Sequence, residues 1–172
     1  MPPLDLRPLR LTIGDHRRER VPTVTEPFVA SSLVYACSPE RFDSDLSITR
    51  LREGILFDLG FETRVLGPCQ RCLEEANLEL AIEGREYQAD APETDGESET
   101  TPYLEGEILD VDGWARDAVI LALPIVVTCS PGCRGLCAQC GVNLNLGDCA
   151  CAPEPPDERW SALRMIGSDG AS

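Results

Sequence analysis

ILFDLGFETRVLGPCQRCLEEANLELAIEGREY, residues 55–87, holds two alternating apolar segments on either side of a C-x2-C pair. In the first segment, Ile55–Val65, odd positions are mostly apolar and even positions are mixed, which is the period of a half-buried strand. The same alternation continues through Leu78–Tyr87. The sequence therefore predicts an antiparallel hairpin that carries Cys69 and Cys72 at its tip.

One amphipathic helix is predicted over residues 110–123. Apolar side chains recur there at helical spacing, and Trp114 falls on the apolar stripe, which makes it a core residue. Asp110 or Asp112 can cap the N-terminus, and Pro124 ends the helix.

These elements predict the α+β class, with an antiparallel β meander, one main amphipathic helix and a C-terminal cysteine-rich, zinc-ribbon-like segment. We expect one domain overall, which suits a chain of 172 residues. Its parts are an N-terminal arm with short strands over residues 1–30, including one around Val21–Phe28; a β-rich core over residues 31–128 with an acidic loop at 89–106; and a cysteine-rich metal-binding segment with a short terminal helix over residues 129–165.

Eight of the nine cysteines have the spacing of metal ligands. Two C-x2-C pairs can each direct two thiolates at one ion, and the preferred set for one ion is Cys69, Cys72, Cys137 and Cys140. A second, weaker set is Cys129, Cys133, Cys149 and Cys151. The sequence leaves the partition and the number of ions, one or two, open. Gly141 suits the positive φ that follows many zinc turns, and the ninth cysteine, Cys37, is expected to be a small buried apolar residue.

Four thiolates with no nearby histidine predict closed structural Zn²⁺ sites. The only histidine, His16, lies far from every cysteine in the sequence. Residues 129–152 hold few large apolar groups, so a metal supplies the free energy that orders them. A C-x2-C thiol redox pair and an iron–sulfur cluster are the alternatives; no other catalytic motif is present, so we expect no enzyme activity.

The composition limits the partners and the compartment. The net charge is −15 and all 15 basic residues are arginine, so we do not expect the whole surface to coat RNA. Any direct RNA contact is expected at two arginines: Arg71, which lies between Cys69 and Cys72, and Arg134, which follows Cys133. The chain shows no apolar run that could cross a membrane, and no secretion signal; paired cysteines then indicate metal binding in the reducing cytoplasm.

Three segments together resemble the YceD family of bacterial and plastid proteins: GPCQRCLE (Gly67–Glu74), the helix that ends in ALP (Ala122–Pro124), and CSPGCRGLCAQCGVNLN (Cys129–Asn145) followed by Cys149 and Cys151. The tail around residues 157–163 is similar to the last helix of the longer members. The resemblance covers roughly residues 40–165. Members keep different numbers of cysteines, which implies a structural role for these residues.

The resemblance implies a role in ribosome biogenesis, namely support of the synthesis, processing or accumulation of 23S rRNA. The partners that it implies are a large ribosomal subunit precursor, a ribosomal protein or an rRNA-processing enzyme. An acidic chain favours a protein partner over direct wrapping of RNA. The alternatives are a zinc-stabilised protein-interaction module unrelated to ribosomes and a C-x2-C thiol redox protein.

Overall fold

The computed structural model describes residues 3–90, residues 100–152 and Arg159. The described elements comprise nine strands, one α-helix and a 3-10 turn over Arg7–Leu9. In chain order they are β1 (Leu4–Asp5), β2 (His16–Val24), β3 (Phe28–Ala30), β4 (Leu33–Ser38), β5 (Arg41–Arg50), β6 (Gly54–Pro68), β7 (Glu75–Ala89), β8 (Leu104–Glu105), β9 (Ile108–Leu109) and α1 (Val111–Ala122). The predicted α+β class is confirmed.

The β6–β7 hairpin is the centre of the fold. Its two strands pair antiparallel over their full length, from Gly54 opposite Ala89 to Pro68 opposite Glu75. Along β6 the odd-numbered side chains from Phe57 onward are buried, as their alternation predicts, and the even-numbered ones lie on the outer face. The hairpin tip consequently holds the C-x2-C pair on a rigid support.

Four more strands, β2 to β5, extend this sheet through the second edge of β6. β5 pairs with the first half of β6 and β4 with its second half, while β2 pairs with β5 over nine residues and β3 pairs with β4. The predicted strand near Val21–Phe28 is displaced: β2 begins at His16 and ends at Val24, and a new strand starts at Phe28. Pro22 is tolerated in β2 because this strand has only one described partner strand.

Helix α1 packs against β7 and β2. The Asp110 side chain accepts a hydrogen bond from the Gly113 backbone N–H at 3.0 Å, which caps the helix as predicted. Trp114 is buried, with its ring stacked on that of Tyr103 at 6.0 Å between centroids. It packs over Gly84 of β7, where an added Cβ would meet the indole at 3.1 Å. The predictions of the helix and of its Trp114 core anchor are therefore confirmed.

The chain separates into two compact units, residues 1–133 and residues 134–172. The first contains the sheet and helix described above and a small sheet in the order β1-β9-β8. The second contains the turns of residues 134–152, with an isolated bridge between Leu136 and Asn143. The predicted terminal helix and most of the predicted acidic loop, residues 91–99, lie outside the described residues. The described residues contain no helix that is both long enough and apolar enough to cross a lipid bilayer.

Candidate metal centres

The structure brings eight cysteines together as two groups of four. The first cluster is Cys69, Cys72, Cys129 and Cys133, and the second cluster is Cys137, Cys140, Cys149 and Cys151. Within each cluster all four sulfurs lie within 4.8 Å of one another. The part of the chain that the structure describes contains no third group of this kind. Each cluster lies within one compact unit.

The turn at the hairpin tip aims the first two sulfurs to one side. The backbone N–H of Cys69 donates to the carbonyl of Glu74 at 2.7 Å, and the N–H of Leu73 donates to the carbonyl of Cys69 at 2.9 Å. Leu73 has φ +63°, a left-handed conformation that is unfavourable for a branched side chain. The N–H of Arg71 points at the Cys69 sulfur from 3.4 Å.

A backbone hydrogen bond holds the segment that follows α1 against this turn. The N–H of Gln70 donates to the carbonyl of Val127 at 2.8 Å, and the Val127 side chain is buried in the core. This places Cys129 and Cys133 over the hairpin tip. The sulfur of Cys133 lies 3.7 Å from that of Cys69, and the sulfur of Cys129 lies 3.6 Å from that of Cys72.

Tyr35 fixes the end of β6, directly before the first cluster. Its hydroxyl donates to the carbonyl of Pro68 at 3.1 Å, directly before the first cysteine. Its ring packs so closely on Gly67 that an added Cβ would overlap it, with Cε1 at 2.7 Å. Gly67 is therefore needed for close approach rather than for an unusual φ.

The second cluster repeats the backbone geometry of the hairpin tip. The N–H of Cys137 donates to the carbonyl of Val142, and the N–H of Gly141 donates to the carbonyl of Cys137, both at 2.9 Å. Gly141 has φ +72°, as the sequence predicts, and it stands where Leu73 stands in the first turn. Two C-x2-C segments thus adopt one turn type, with glycine at the left-handed position in only one of them.

Residues 144–152 bring the last two cysteines back to the second C-x2-C turn. The N–H of Leu144 donates to the carbonyl of Gly135 at 2.9 Å, which reverses the chain after the second C-x2-C turn. The Gln139 side chain donates to the carbonyl of Ala152 at 2.8 Å, and the sulfur of Cys149 lies 3.5 Å from that of Cys137. These contacts bring the C-x-C pair, Cys149 and Cys151, to the second C-x2-C turn and so complete the second cluster.

The sulfur spacing fits a tetrahedral ion. A Zn–S bond of 2.3 Å in a tetrahedron places two sulfurs about 3.8 Å apart, and the three distances of 3.5–3.7 Å lie close to this value. They are far longer than the roughly 2.05 Å of a disulfide bond. All nine cysteines are free thiols in this structure. Eight of them can therefore hold two metal ions.

The two clusters also share a pattern of thiol acidity. Burial opposes ionisation of Cys69, but backbone N–H groups of Arg71, Cys129 and Cys72 outweigh it and lower the pKa of its thiol to about 6. Backbone N–H groups of Cys140 and Gln139 lower the pKa of Cys137 to about 6 in the same way. Each cluster thus offers a ready thiolate as the first metal ligand.

Other thiols in the clusters are harder to ionise. Although the Glu74 backbone N–H favours the Cys72 thiolate, burial and the neighbouring thiols raise the pKa of Cys72 to about 12. The adjacent Cys140 thiol, together with burial, raises the pKa of Cys151 to about 12. A metal ion must displace these protons, so binding to either cluster is coupled to proton release.

The preferred pairing of the two C-x2-C segments on one ion is wrong. Cys69 and Cys72 share their cluster with Cys129 and Cys133, because the Gln70–Val127 hydrogen bond brings that part of the chain to the hairpin tip. The sequence offered only a weak signal, the apolar run Ile125–Val127 before the C-x3-C pair, of which Val127 alone is buried. Spacing alone could not rank a C-x3-C partner above a second C-x2-C pair.

The two arginines predicted to contact RNA differ in their surroundings. Arg71 is exposed on the hairpin tip. The guanidinium of Arg134 donates to Asp148 at 2.6 Å, and its backbone N–H donates to the Asn145 side chain at 2.7 Å. Arg134 therefore also closes the loop of the second cluster. Cys37 is 2% exposed and packs in the core, as predicted.

Comparisons with known proteins agree on one family. Residues 57–166 match the family of the large ribosomal RNA subunit accumulation protein YceD. Uncharacterized proteins of Mycobacterium bovis and Mycobacterium tuberculosis are each 31% identical over 131 residues, which are 74% of this chain and 63% of the relative. The match thus spans less than two thirds of these relatives.

A plant relative carries a functional name. The large ribosomal RNA subunit accumulation protein YCED homolog 1, chloroplastic, of Arabidopsis thaliana is 36% identical over 55 residues, 32% of this chain and 17% of the relative. No solved structure matches the chain. Because the family match covers more than half of the chain and includes all eight clustered cysteines, the chain belongs to the YceD family.

Proposed function

We propose that this protein is a non-enzymatic ribosome biogenesis factor that supports the synthesis, processing or accumulation of 23S rRNA in the cytoplasm. The observation that carries the proposal is the family match over residues 57–166, which takes in the hairpin tip, α1 and both cysteine clusters. The plant relatives bear the name of that role. Among the described residues the two clusters are thiolate-only sets with no histidine or carboxylate ligand, which is typical of closed structural sites.

The metal in the proposal is Zn²⁺, one ion in each cluster. Sulfur separations of 3.5–3.7 Å and the absence of disulfides support this choice. The first ion would join the tip of the hairpin to the chain that follows α1. The second would order residues 134–152, which contain only short turns and one bridge. The Zn²⁺ ions hold the two units folded and take no part in a reaction.

The partners in the proposal are a large ribosomal subunit precursor, a ribosomal protein or an rRNA-processing enzyme. The net charge of −15 favours attraction of a basic ribosomal protein. Arg71 is exposed beside the first cluster and is available to a partner. Arg134 is held by Asp148, so we expect its contribution to binding to be the smaller of the two.

The test is depletion of the protein followed by measurement of the 23S to 16S rRNA ratio. We expect the ratio to fall and to be restored by the wild-type chain. Complementation with Cys69→Ser, with Cys37→Ala as a control outside both clusters that adds no polar group to the core, links the phenotype to the metal centres. A normal rRNA ratio after complete depletion would contradict the proposed role.

A further inference from the structure

We propose that the outer face of β2 binds the phosphate backbone of single-stranded RNA through Arg18 and Arg20. This inference deepens the proposed function and rests on it for the choice of RNA as the polyanion. It also moves the expected RNA contact away from the cysteine turns. The first observation is the local charge: residues 7–20 contain five of the chain's 15 arginines and only two acids.

The second observation is the exposure of these cations. The first five residues of β2, His16 to Arg20, are all exposed. β2 pairs with β5 along one edge, and no described strand pairs with its other edge. Side chains two apart on a strand lie on the same face about 7 Å from each other. Arg18 and Arg20 therefore form a short cationic row on an accessible edge strand.

The third observation is that these cations are poorly neutralised. Six other arginines each form an ion pair with a carboxylate, namely Arg7, Arg50, Arg64, Arg85, Arg116 and Arg134. Arg18 forms no ion pair with any described residue. Arg20 has one long contact to Asp45, 3.5 Å, and both side chains are at least 70% exposed. Such a pair is easily exchanged for a phosphate.

A polar network prepares Arg18 for a ligand. Its Nε donates to His16 Nε2 at 3.3 Å, and the Ser47 hydroxyl also approaches this ring nitrogen at 3.3 Å. His16 Nδ1 then donates to the Thr49 hydroxyl at 2.9 Å. The terminal guanidinium nitrogens of Arg18 are left to bind an anion in the two-pronged geometry that phosphate accepts.

These side chains form one wall of a cleft of about 750 Å³ on the outer face of the sheet. Its floor includes Gly60, where an added Cβ would meet nothing closer than 3.9 Å. Four acids also line the cleft: Glu19 and Asp45 on the β2 side, where Asp45 contacts Arg20, and Asp58 and Glu83 farther across the sheet, where Asp58 accepts a hydrogen bond from Arg85 at 2.6 Å. Asp58 and Glu83 repel phosphate from the far side, so the backbone of the RNA is expected to follow Arg18 and Arg20 along β2.

The chemistry predicts binding without strong sequence preference. No Phe, Tyr or Trp side chain lines the cleft among the described residues, and its one ring, that of His16, is already engaged by Arg18, Ser47 and Thr49, so no free base-stacking platform is present there. Two arginine–phosphate contacts predict that log K falls with log salt at a slope of about −1.4 for a single strand. Between 50 and 200 mM salt this corresponds to about 7-fold weaker binding.

The test is fluorescence anisotropy of the zinc-loaded full chain with a labelled 20-nucleotide single-stranded RNA of mixed sequence. We expect Arg18→Ala/Arg20→Ala to weaken binding at least 10-fold at 50 mM salt and to flatten the salt dependence. Arg18→Lys/Arg20→Lys, which keeps the charge but loses the two-pronged contact, should fall between wild type and the alanine variant. The matched control, Arg64→Ala/Arg116→Ala, changes net charge equally on β6 and α1, away from the cleft, and should remain within about 2-fold.

Three results would overturn the inference: no RNA binding by the wild-type chain at 50 mM salt, an equal loss in the control variant, or tighter binding of an acidic peptide of matched charge.

The anisotropy assay does not depend on rRNA levels in the cell. A chain that binds RNA through β2 without restoring 23S rRNA would contradict only the proposed function. A chain that restores 23S rRNA but does not bind RNA would contradict only this inference.

Discussion

The sulfur of Cys69 lies 3.7 Å from the sulfur of Cys133, although 64 residues separate them in the chain. The first cysteine is at the end of β6 and the second follows α1, so the contact closes a loop that contains β7 and the helix. An ion at this point would remove much of the conformational freedom of that loop in the unfolded chain. The ligands of the second cluster all come from residues 137–151 and close only a local loop.

Loss of one ligand should therefore have different consequences in the two clusters. We expect Cys69→Ser to lower the zinc content by about one ion and the stability of residues 3–133 by at least about 3 kcal/mol. Cys140→Ser should lower the zinc content equally but leave amide exchange in β6 and β7 unchanged. Metal analysis and hydrogen exchange of both variants provide the measurement. Equal loss of protection in β6 from both substitutions would show that the clusters do not act separately.

Replacement by alanine should lower the free energy of unfolding at one glycine of β6 but not at another. Gly67→Ala forces a Cβ into the Tyr35 ring, and such overpacking costs about 1–3 kcal/mol. It should also weaken zinc binding by the first cluster, because the Tyr35 hydroxyl fixes Pro68. Gly60→Ala is the control, since its Cβ has room and its φ is not positive; we expect no loss of stability. Urea unfolding of both variants decides the matter, and a tolerated Gly67→Ala would contradict the packing argument.

The hairpin and the helix could be predicted because each is determined by a pattern within its own residues. Alternation fixes which face of β6 is buried, and the cap at Asp110 and the apolar stripe through Trp114 define α1. The nine-residue pairing of β2 with β5 was not predicted from the sequence, because residues 16–20 are polar on both faces and leave no apolar period. An edge strand of this kind is specified by its partner rather than by its own pattern.

The cysteines were predicted as metal ligands from spacing, and the structure supplies their grouping. Spacing says which neighbouring thiolates can bind one ion, but not which distant pair will join them. That choice depends on tertiary contacts such as the hydrogen bond from Gln70 to the carbonyl of Val127. The positive φ of Gly141 followed from residue type, whereas the same conformation at Leu73 had no signal in the sequence.

The left-handed residue of the first turn offers a stabilising substitution. A non-glycine residue in this conformation costs about 1 kcal/mol or more, and Leu73 is 60% exposed, so its side chain returns little by burial. We expect Leu73→Gly to stabilise the zinc-loaded protein by about 1 kcal/mol. Leu73→Ala removes the same apolar surface but keeps the strained Cβ, and should stay within about 0.5 kcal/mol of wild type. Thermal unfolding separates the cases, and equal effects of both changes would assign the result to the side chain rather than to the backbone.

Zinc binding should release protons, with a dependence on pH that follows from the thiol pKa values. At pH 7 without metal, Cys69 and Cys137 are mostly thiolates, because their pKa values are lowered to about 6. Cys72 and Cys151 still hold their protons, because their pKa values are raised to about 12. Each ion must therefore displace at least one proton, so affinity should rise at least tenfold per pH unit between pH 7 and 8 and fall as the pH is lowered. Calorimetry in two buffers of different ionisation enthalpy counts the protons released. A binding enthalpy that is the same in both buffers would mean that no proton leaves, and the four-thiolate assignment of both clusters would then be wrong.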